Sequence, residues 1–134
     1  MKAPFIERYT SSIPLRQQLV EQLEASGILK SSRIKAALLA IPREAFVPFF
    51  FSTDAEVLTP STPWIRCDTA HPAYLSLMYQ DQPLETHLDE YGLPDSSSSM
   101  PRVMVHMLEA LDIHRSHSVL EIGTGTGYNA AILA

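Results

Sequence analysis

A glycine-rich turn near the end of the sequence constrains the fold more than any other feature. Gly123, Gly125 and Gly127 follow the apolar stretch 119–122 and precede an alanine-rich run that begins at Tyr128. This order predicts a β-strand, a tight turn and the first turns of an α-helix. Glycine has no Cβ, so such a turn readily adopts positive φ angles and lets a ligand approach the backbone closely. The sequence therefore predicts a cofactor cradle in an α/β fold.

The spacing of the glycines narrows the choice of cofactor. The dinucleotide fingerprint Gly-x-Gly-x-x-Gly needs a glycine at position 128, which is Tyr128. A P-loop is excluded because no Gly-Lys-Ser/Thr follows the turn. The pattern present is Glu-x-Gly-x-Gly-x-Gly, which begins at Glu121 and places a carboxylate where a positively charged ligand group would favour it. The alternative interpretation is a glycine-rich turn that binds no ligand.

Composition excludes several functional classes. The 134 residues carry a net charge of −5 without a basic run, which argues against nucleic acid as a partner. The single cysteine, Cys67, excludes an internal disulfide, and the five histidines are too scattered to predict a metal site. No apolar stretch reaches the ~18 residues of a membrane span, and no signal-type segment follows Met1. We expect a cytoplasmic protein that binds neither membranes nor metals.

Two helices are predicted in the first third of the chain. Ser12 is a candidate cap for a first helix, whose leucines recur at every fourth position and which ends at Gly27. A second helix is predicted from Ser31 to the residue before Pro42. Together they predict an α-hairpin, and residues 41–48, framed by two prolines, form a predicted connector to the rest of the fold.

The middle of the chain gives weaker signals. Residues 52–68 are predicted to be irregular, residues 68–78 fit either a short helix or an extended segment, and residues 84–88 begin a predicted hairpin that turns at 90–92. The serine run 96–99 would usually indicate a flexible linker, but it abuts a predicted helix. Ser99 or a neighbour is the expected cap of that helix, and Pro101 suits its first turn. Its apolar face is predicted to comprise Val103, Met104, Met107, Leu108 and Leu111.

Three segments are similar to one enzyme family. They are Ile-Pro-Arg-Glu-Ala-Phe-Val-Pro at 41–48, the serine run leading into Pro101 and a methionine-containing helix, and Val-Leu-Glu-Ile-Gly-Thr-Gly-Thr-Gly-Tyr at 119–128. In order and approximate spacing they resemble the protein-L-isoaspartate O-methyltransferases. The glycine pattern alone would indicate only the superfamily of Rossmann-like, S-adenosylmethionine-dependent methyltransferases. The segment at 41–48 makes the resemblance specific.

The resemblance implies a cofactor, a reaction and a set of site residues. The cofactor is S-adenosylmethionine, and the reaction transfers its methyl group to the free carboxylate of an isoaspartyl residue in a protein or peptide. The implied cofactor-binding residues are Glu121, Gly123, Thr124, Gly125, Gly127 and Tyr128. The family signature Thr/Ser-x-Ser-x-Pro falls on residues 97–101, with Ser99 as the catalytic residue that orients the substrate carboxylate. The implied substrate residues are Ser97, Ser98 and Pro101.

The sequence also departs from the family pattern. Met100 stands where the family often has glutamine, Ser97 stands where it often has threonine, and residues 81–95 are longer and more acidic than usual. This variant resembles the actinobacterial branch, some members of which methylate aspartates in ribosomally made peptides. Isoaspartyl and aspartyl carboxylates therefore both stay open as substrates.

We expect an α/β fold that combines the helical hairpin with the first βα unit of a Rossmann-like methyltransferase, its sheet being incomplete in this chain. Residues 1–95 are the expected cap region, and residues 96–134 are the expected start of the cofactor-binding domain. If the chain ends at Ala134, we expect weak or no cofactor binding and no turnover. The alternatives are a non-catalytic module that self-associates through its incomplete sheet, and a small-molecule methyltransferase of the same superfamily.

Overall fold

A computed structural model describes residues 9–134 as a mixed α/β structure. In chain order its helices and strands are α1 (Ile13–Ala25), α2 (Ser32–Ala40), β1 (Phe49–Ser52), β2 (Ile65–Asp68), α3 (Tyr74–Met78), β3 (Leu84–Leu88), β4 (Pro94–Ser98), α4 (Pro101–Leu111) and α5 (Tyr128–Leu133). Short 3-10 turns occupy Thr10–Ser12 and Arg43–Ala45. The predicted α/β class and the incomplete sheet are confirmed, and the arrangement of the strands is new.

The predicted helical hairpin is confirmed by α1 and α2. Gly27 ends α1 with a φ of 76°, a left-handed conformation that favours glycine. The side chain of Ser31 accepts a hydrogen bond from the Ile34 N–H at 3.4 Å and so caps α2. Ser12 precedes α1 but does not cap it, because its hydroxyl donates to the Tyr9 carbonyl instead.

The sheet has four antiparallel strands in the order β2-β1-β3-β4. The predicted hairpin is confirmed by β3 and β4, which turn at Gly92 with a φ of 76°. By contrast, residues 65–68 are expected from the sequence to be irregular, and the structure pairs them with β1 so that Phe50 faces Cys67. Both of these residues are buried in the core, so tertiary packing created this strand. The serine run is not a linker, since Ser96–Ser98 belong to β4.

Helix α4 begins at Pro101 as predicted, but without a serine cap. Met100 precedes the helix, and within residues 9–134 its first turn receives no side-chain cap. The predicted apolar face divides into two parts. Met104 and Leu108 are buried in the core, whereas Val103, Met107 and Leu111 are exposed. Of the two methionines on this face, Met104 therefore fills the core and Met107 does not.

The predicted first strand of the parallel sheet is wrong for this structure, because residues 119–122 pair with no strand in the part of the chain that is described. Leu120 is 85% exposed and Ile122 is 90% exposed. A strand needs a neighbour for its ladder hydrogen bonds, and the four strands present pair only among themselves. The glycine turn and α5 nevertheless follow at the predicted positions.

The division into regions 1–95 and 96–134 stays a prediction, and β4 lies across its boundary. Within residues 9–134, every helix is too short or too polar to cross a lipid bilayer.

Candidate functional site

The serine segment, defined here as Ser97–Ser99, runs from the end of β4 to the start of α4. Ser97 and Ser99 are exposed, whereas Ser98 is only 4% exposed. Ser98 is the last residue of β4 and the one residue of that strand whose side chain is buried. The hydroxyl of Ser99 therefore lies at the surface on the last residue before Met100, held between a strand and a helix.

The glycine loop, defined here as residues 123–127, has the backbone that its sequence predicts. Gly123, Gly125 and Gly127 have φ angles of 75°, 55° and 85°. The Gly127 N–H donates to the Thr124 carbonyl at 2.9 Å and closes the turn. A Cβ on Gly125 would lie 3.9 Å from the Ser97 carbonyl oxygen, which shows how closely the loop approaches the serine segment. Two motifs that are distant in sequence are thus neighbours in space.

A cavity of about 340 Å³ lies between the serine segment, helix α4 and residues 119–129. This volume falls within the range of about 300–1,000 Å³ that small-molecule sites occupy. Eight of the ten predicted site residues line it: Ser97, Ser98, Ser99, Glu121, Gly123, Thr124, Gly125 and Tyr128. Gly127 and Pro101 are not among its lining residues, and they act instead on the loop backbone and the helix start.

Asn129 is a site residue that the sequence did not identify. Its amide Nδ2 donates to Glu121 Oε1 at 2.6 Å, and Asn129 itself lines the cavity. Glu121 Oε2 and Asn129 Oδ1 are buried without a partner in the described residues. A buried acceptor without a donor costs about 1–3 kcal/mol, so this pair is suited to a ligand group that donates hydrogen bonds. The one sequence feature that could have identified Asn129 is that it is a polar amide in a predicted helix that is otherwise apolar.

Tyr128 forms part of the cavity wall and is 3% exposed. Burial raises the pKa of its phenol to about 12, so the group is neutral at physiological pH. Its ring packs against Phe46, with centroids 6.0 Å apart, and the Arg43 guanidinium carbon lies 5.9 Å from its centroid. The connector 41–48 is therefore in contact with the site.

Arg43 is the second residue that the sequence missed. It is completely buried and contacts the serine segment from behind. Desolvation lowers the pKa of its guanidinium to about 10, so the charge is retained at neutral pH. Its neighbour in the sequence, Glu44, accepts a hydrogen bond from the Tyr79 hydroxyl.

Other candidate sites lack the predicted residues. A second cavity of about 500 Å³ lies beside the ends of α4 and α5 and is lined by Arg33, His114 and His117 among others, but by no predicted site residue. Residues 9–134 contain no cluster of histidine, cysteine or acidic side chains that could hold a metal ion. Cys67 is buried, and burial raises the pKa of its thiol, which disfavours the nucleophilic thiolate.

The predicted cofactor fits this arrangement. S-adenosylmethionine carries an ammonium and a sulfonium. The Glu121 carboxylate is partly buried and has one oxygen that no described residue contacts by a hydrogen bond, so it suits a positive group. Gly123 and Gly125, which line the cavity, carry no Cβ, so a ligand can contact the backbone of the loop at these two positions. The residues present therefore match the chemistry of the group.

Comparison with known proteins agrees with the geometry. A family profile described as protein-L-isoaspartate(D-aspartate) O-methyltransferase matches residues 65–134, which is more than half of the chain. This chain belongs to that family. The match to the protein-L-isoaspartate O-methyltransferase family includes β2 to α5 and so covers both the serine segment and the glycine loop.

Individual relatives extend the similarity to most of the chain. A protein-L-isoaspartate O-methyltransferase from Pyrobaculum arsenaticum is 33% identical over 120 residues, covering 90% of this chain and 44% of the relative. Enzymes of the same name from Staphylothermus marinus and Dictyoglomus thermophilum are 34% and 37% identical over 119 residues, covering 89% of this chain and 40% of each relative. The chain thus spans less than half the length of these relatives.

Proposed function

We propose that these residues form part of the active site of an S-adenosylmethionine-dependent methyltransferase that acts on isoaspartyl carboxylates in proteins or peptides. The observation that carries the proposal is the cavity where the serine segment meets the glycine loop, with Glu121 Oε2 buried beside it and without a partner among residues 9–134. Family membership supports the same reaction class.

The cofactor-binding residues would be those of the glycine loop and its neighbours. Gly123, Thr124, Gly125 and Gly127 would offer backbone to the methionine part of the cofactor, and Tyr128 would close the wall behind it. Glu121 would accept hydrogen bonds from the ammonium through its free oxygen, while Asn129 holds the other oxygen. When bound, S-adenosylmethionine supplies a methyl group that its sulfonium already activates.

Ser99 would hold the substrate carboxylate. Its exposed hydroxyl can donate to one carboxylate oxygen and leave the other free to attack in line. Such methyl transfer depends mainly on positioning, because the donor is already activated. Ser97 and Ser98 would shape the substrate side of the cavity, and Pro101 would fix where α4 begins.

The substrate and setting follow from the same proposal. An isoaspartyl protein or peptide is the first candidate, and an aspartyl peptide is the second, because residues 81–95 are acidic and unusually long for the family. A cytoplasmic location is in keeping with the single unpaired cysteine, Cys67. Since the crevice of a doubly wound fold is built by several βα units, we expect the 134 residues alone to bind the cofactor weakly or not at all and to turn over no substrate.

The test is a methylation assay with labelled S-adenosylmethionine and two peptides that differ only in isoaspartate against aspartate. It should use the 134-residue chain and the same chain joined to the carboxy-terminal remainder of the Pyrobaculum arsenaticum relative. We expect isoaspartyl-selective transfer by the joined protein and an approximately 10²-fold loss of kcat/KM with Ser99→Ala. Ser76→Ala, an exposed serine on α3, is the control and should change the rate less than twofold.

Three results would contradict the proposal. Absence of transfer by the joined protein would exclude the reaction, and an unchanged rate with Ser99→Ala would exclude the assigned role. Transfer to small acids but not to either peptide would instead support a small-molecule methyltransferase.

One observation favours a second candidate, a non-catalytic module that associates with itself. Residues 119–122 pair with no strand in the part of the chain that the structure describes, and they expose Leu120 and Ile122 almost fully. An unpaired apolar segment can pair with another copy of the chain. Sedimentation at increasing concentration distinguishes the two: a dimer without cofactor binding supports the module, and a monomer argues against it.

A further inference from the structure

We propose that Arg43 is a positioning residue of the candidate site, whose guanidinium fixes the backbone of Ser98 and Ser99 opposite the glycine loop. That this positioning serves methyl transfer rests on the proposed function, whereas the hydrogen bonds of Arg43 to Ser98 and Ser99 do not depend on it. Arg43 belongs to the segment 41–48, for which the sequence predicted only a connecting role.

The hydrogen bonds of Arg43 converge on two segments. Nη2 donates to the Ser98 carbonyl at 3.0 Å and to the Ser99 carbonyl at 2.9 Å, and Nη1 donates to the Met78 carbonyl at 3.0 Å. Nε and Nη2 also lie 3.4 Å and 3.3 Å from Ser98 Oγ. Nη2 also donates to the Gln82 carbonyl at 3.5 Å, so the acceptors lie in residues 78–82 and in two consecutive residues of the serine segment.

Arg43 is itself held in place. Its backbone N–H donates to the Tyr79 hydroxyl at 3.0 Å, and that hydroxyl donates to Glu44. The guanidinium also contacts the face of Tyr128, the residue that follows the glycine loop. A single buried side chain thus touches both motifs that line the cavity.

The geometry explains why arginine is needed here. Its planar fork donates along several directions at once, whereas lysine is a point charge on a flexible stem. A lysine at position 43 would keep the charge but could not hold the Ser98, Ser99 and Met78 carbonyls together. Because misplacement by about 1 Å can cost about 10²-fold in rate, a loosened Ser99 would affect catalysis without any loss of a reacting group.

A matched control exists in α1. Arg16 is 4% exposed and also donates to backbone carbonyls, those of Leu39 at 2.9 Å and Tyr9 at 3.1 Å. It makes no hydrogen bond with the serine segment. Arg16→Lys therefore removes comparable buried hydrogen bonds without changing any contact of Ser98 or Ser99. Comparison of the two variants distinguishes an effect on the position of the serine segment from a general loss of stability.

The experiment compares Arg43→Lys and Arg16→Lys in the 134-residue chain by amide hydrogen exchange and backbone chemical shifts, without any ligand. With Arg43→Lys we expect exchange at Ser98 and Ser99 to accelerate at least tenfold beyond the change in global unfolding. With Arg16→Lys, the exchange at these two residues should follow global stability alone. Equal behaviour of the two variants would overturn the proposal.

A second measurement uses the unchanged chain and remains decisive if Arg43→Lys does not fold. Hydrogen-bond scalar couplings between the Arg43 side-chain nitrogens and the carbonyl carbons of Ser98 and Ser99 should be present, and their absence would overturn the proposal. In the methylation assay with the joined protein, kcat should fall by about 10²-fold with Arg43→Lys and less than threefold with Arg16→Lys. Failure of the joined protein without substitutions to transfer methyl groups would refute the proposed function, while the exchange data on the 134-residue chain would still decide the role of Arg43.

Discussion

Replacing Tyr79 with phenylalanine removes one oxygen atom and should be among the most damaging changes of its size. The Tyr79 hydroxyl accepts from the buried Arg43 N–H at 3.0 Å and donates to the Glu44 carboxylate, which is 8% exposed. Burial, followed by the hydrogen bond to Glu44, raises the pKa of Tyr79 well above its usual range, so the hydroxyl is a donor at all ordinary pH values. Both of its partners would lose their contact at once.

The magnitude follows from those two partners. A buried N–H left without an acceptor costs about 1–3 kcal/mol, and a hydrogen bond to a charged group contributes about 1.5–3 kcal/mol. We therefore expect Tyr79→Phe to lower the free energy of unfolding by about 4 kcal/mol. Tyr74→Phe is the control: its hydroxyl donates only to the Val47 carbonyl at 2.7 Å, so about 1 kcal/mol should be lost.

The assay is urea unfolding followed by circular dichroism. With an m-value of about 1.5 kcal/mol/M, the midpoint should fall by about 2.7 M for Tyr79→Phe and by about 0.7 M for Tyr74→Phe. An equal or smaller loss for Tyr79→Phe would refute the view that the Tyr79 hydroxyl links Arg43 to Glu44.

Three further predictions concern the site and its surroundings. Burial raises the pKa of Tyr128 to about 12 and also raises the pKa of Tyr79. The stability that these groups contribute should therefore be intact below their unfolded-state pKa of about 10 and be lost above it, by about 1.4 kcal/mol per pH unit for each group. A flat profile of thermal unfolding between pH 10 and 12 would contradict this. Asn129→Ala should lower stability by about 1.5 kcal/mol and show coupling of similar size with Glu121→Gln in a double-mutant cycle, whereas additive effects would disprove the link. Gly127→Ala should cost about 1–2 kcal/mol in denaturant unfolding from its φ of 85° alone, since the new Cβ would meet Phe46 only at 3.8 Å; a much larger loss would indicate a steric clash.

Local chemistry allowed much of the structure to be predicted. Gly27 and Pro42 marked the ends of two helices, Pro101 marked the start of a third, and Gly92 lies in the predicted hairpin turn. Each of these signals acts through the backbone angles of one residue, so its effect can be predicted without knowledge of the fold. The glycine loop belongs to the same class, and its three positive φ angles follow directly from its spacing.

Other parts could not be predicted because they depend on partners that are distant in the sequence. Strand β2 exists because residues 65–68 pair with β1, and residues 119–122 lack a strand because nothing described pairs with them. The burial of Met104 and the exposure of Met107 likewise depend on what packs against α4. Hydrophobic periodicity indicates an apolar face but not which part of it is covered.

The site shows the same division. The sequence by itself determined the glycine loop, its acidic residue Glu121 and the resemblance that directed attention to Ser99, because these are local patterns. Only the tertiary structure decided that the serine segment and the glycine loop share one cavity, and that Arg43 and Asn129 support them. Arg43 binds carbonyl groups and Asn129 binds a carboxylate only because folding brings these groups next to them. The positions of the residues in the sequence do not indicate which groups will be neighbours after folding.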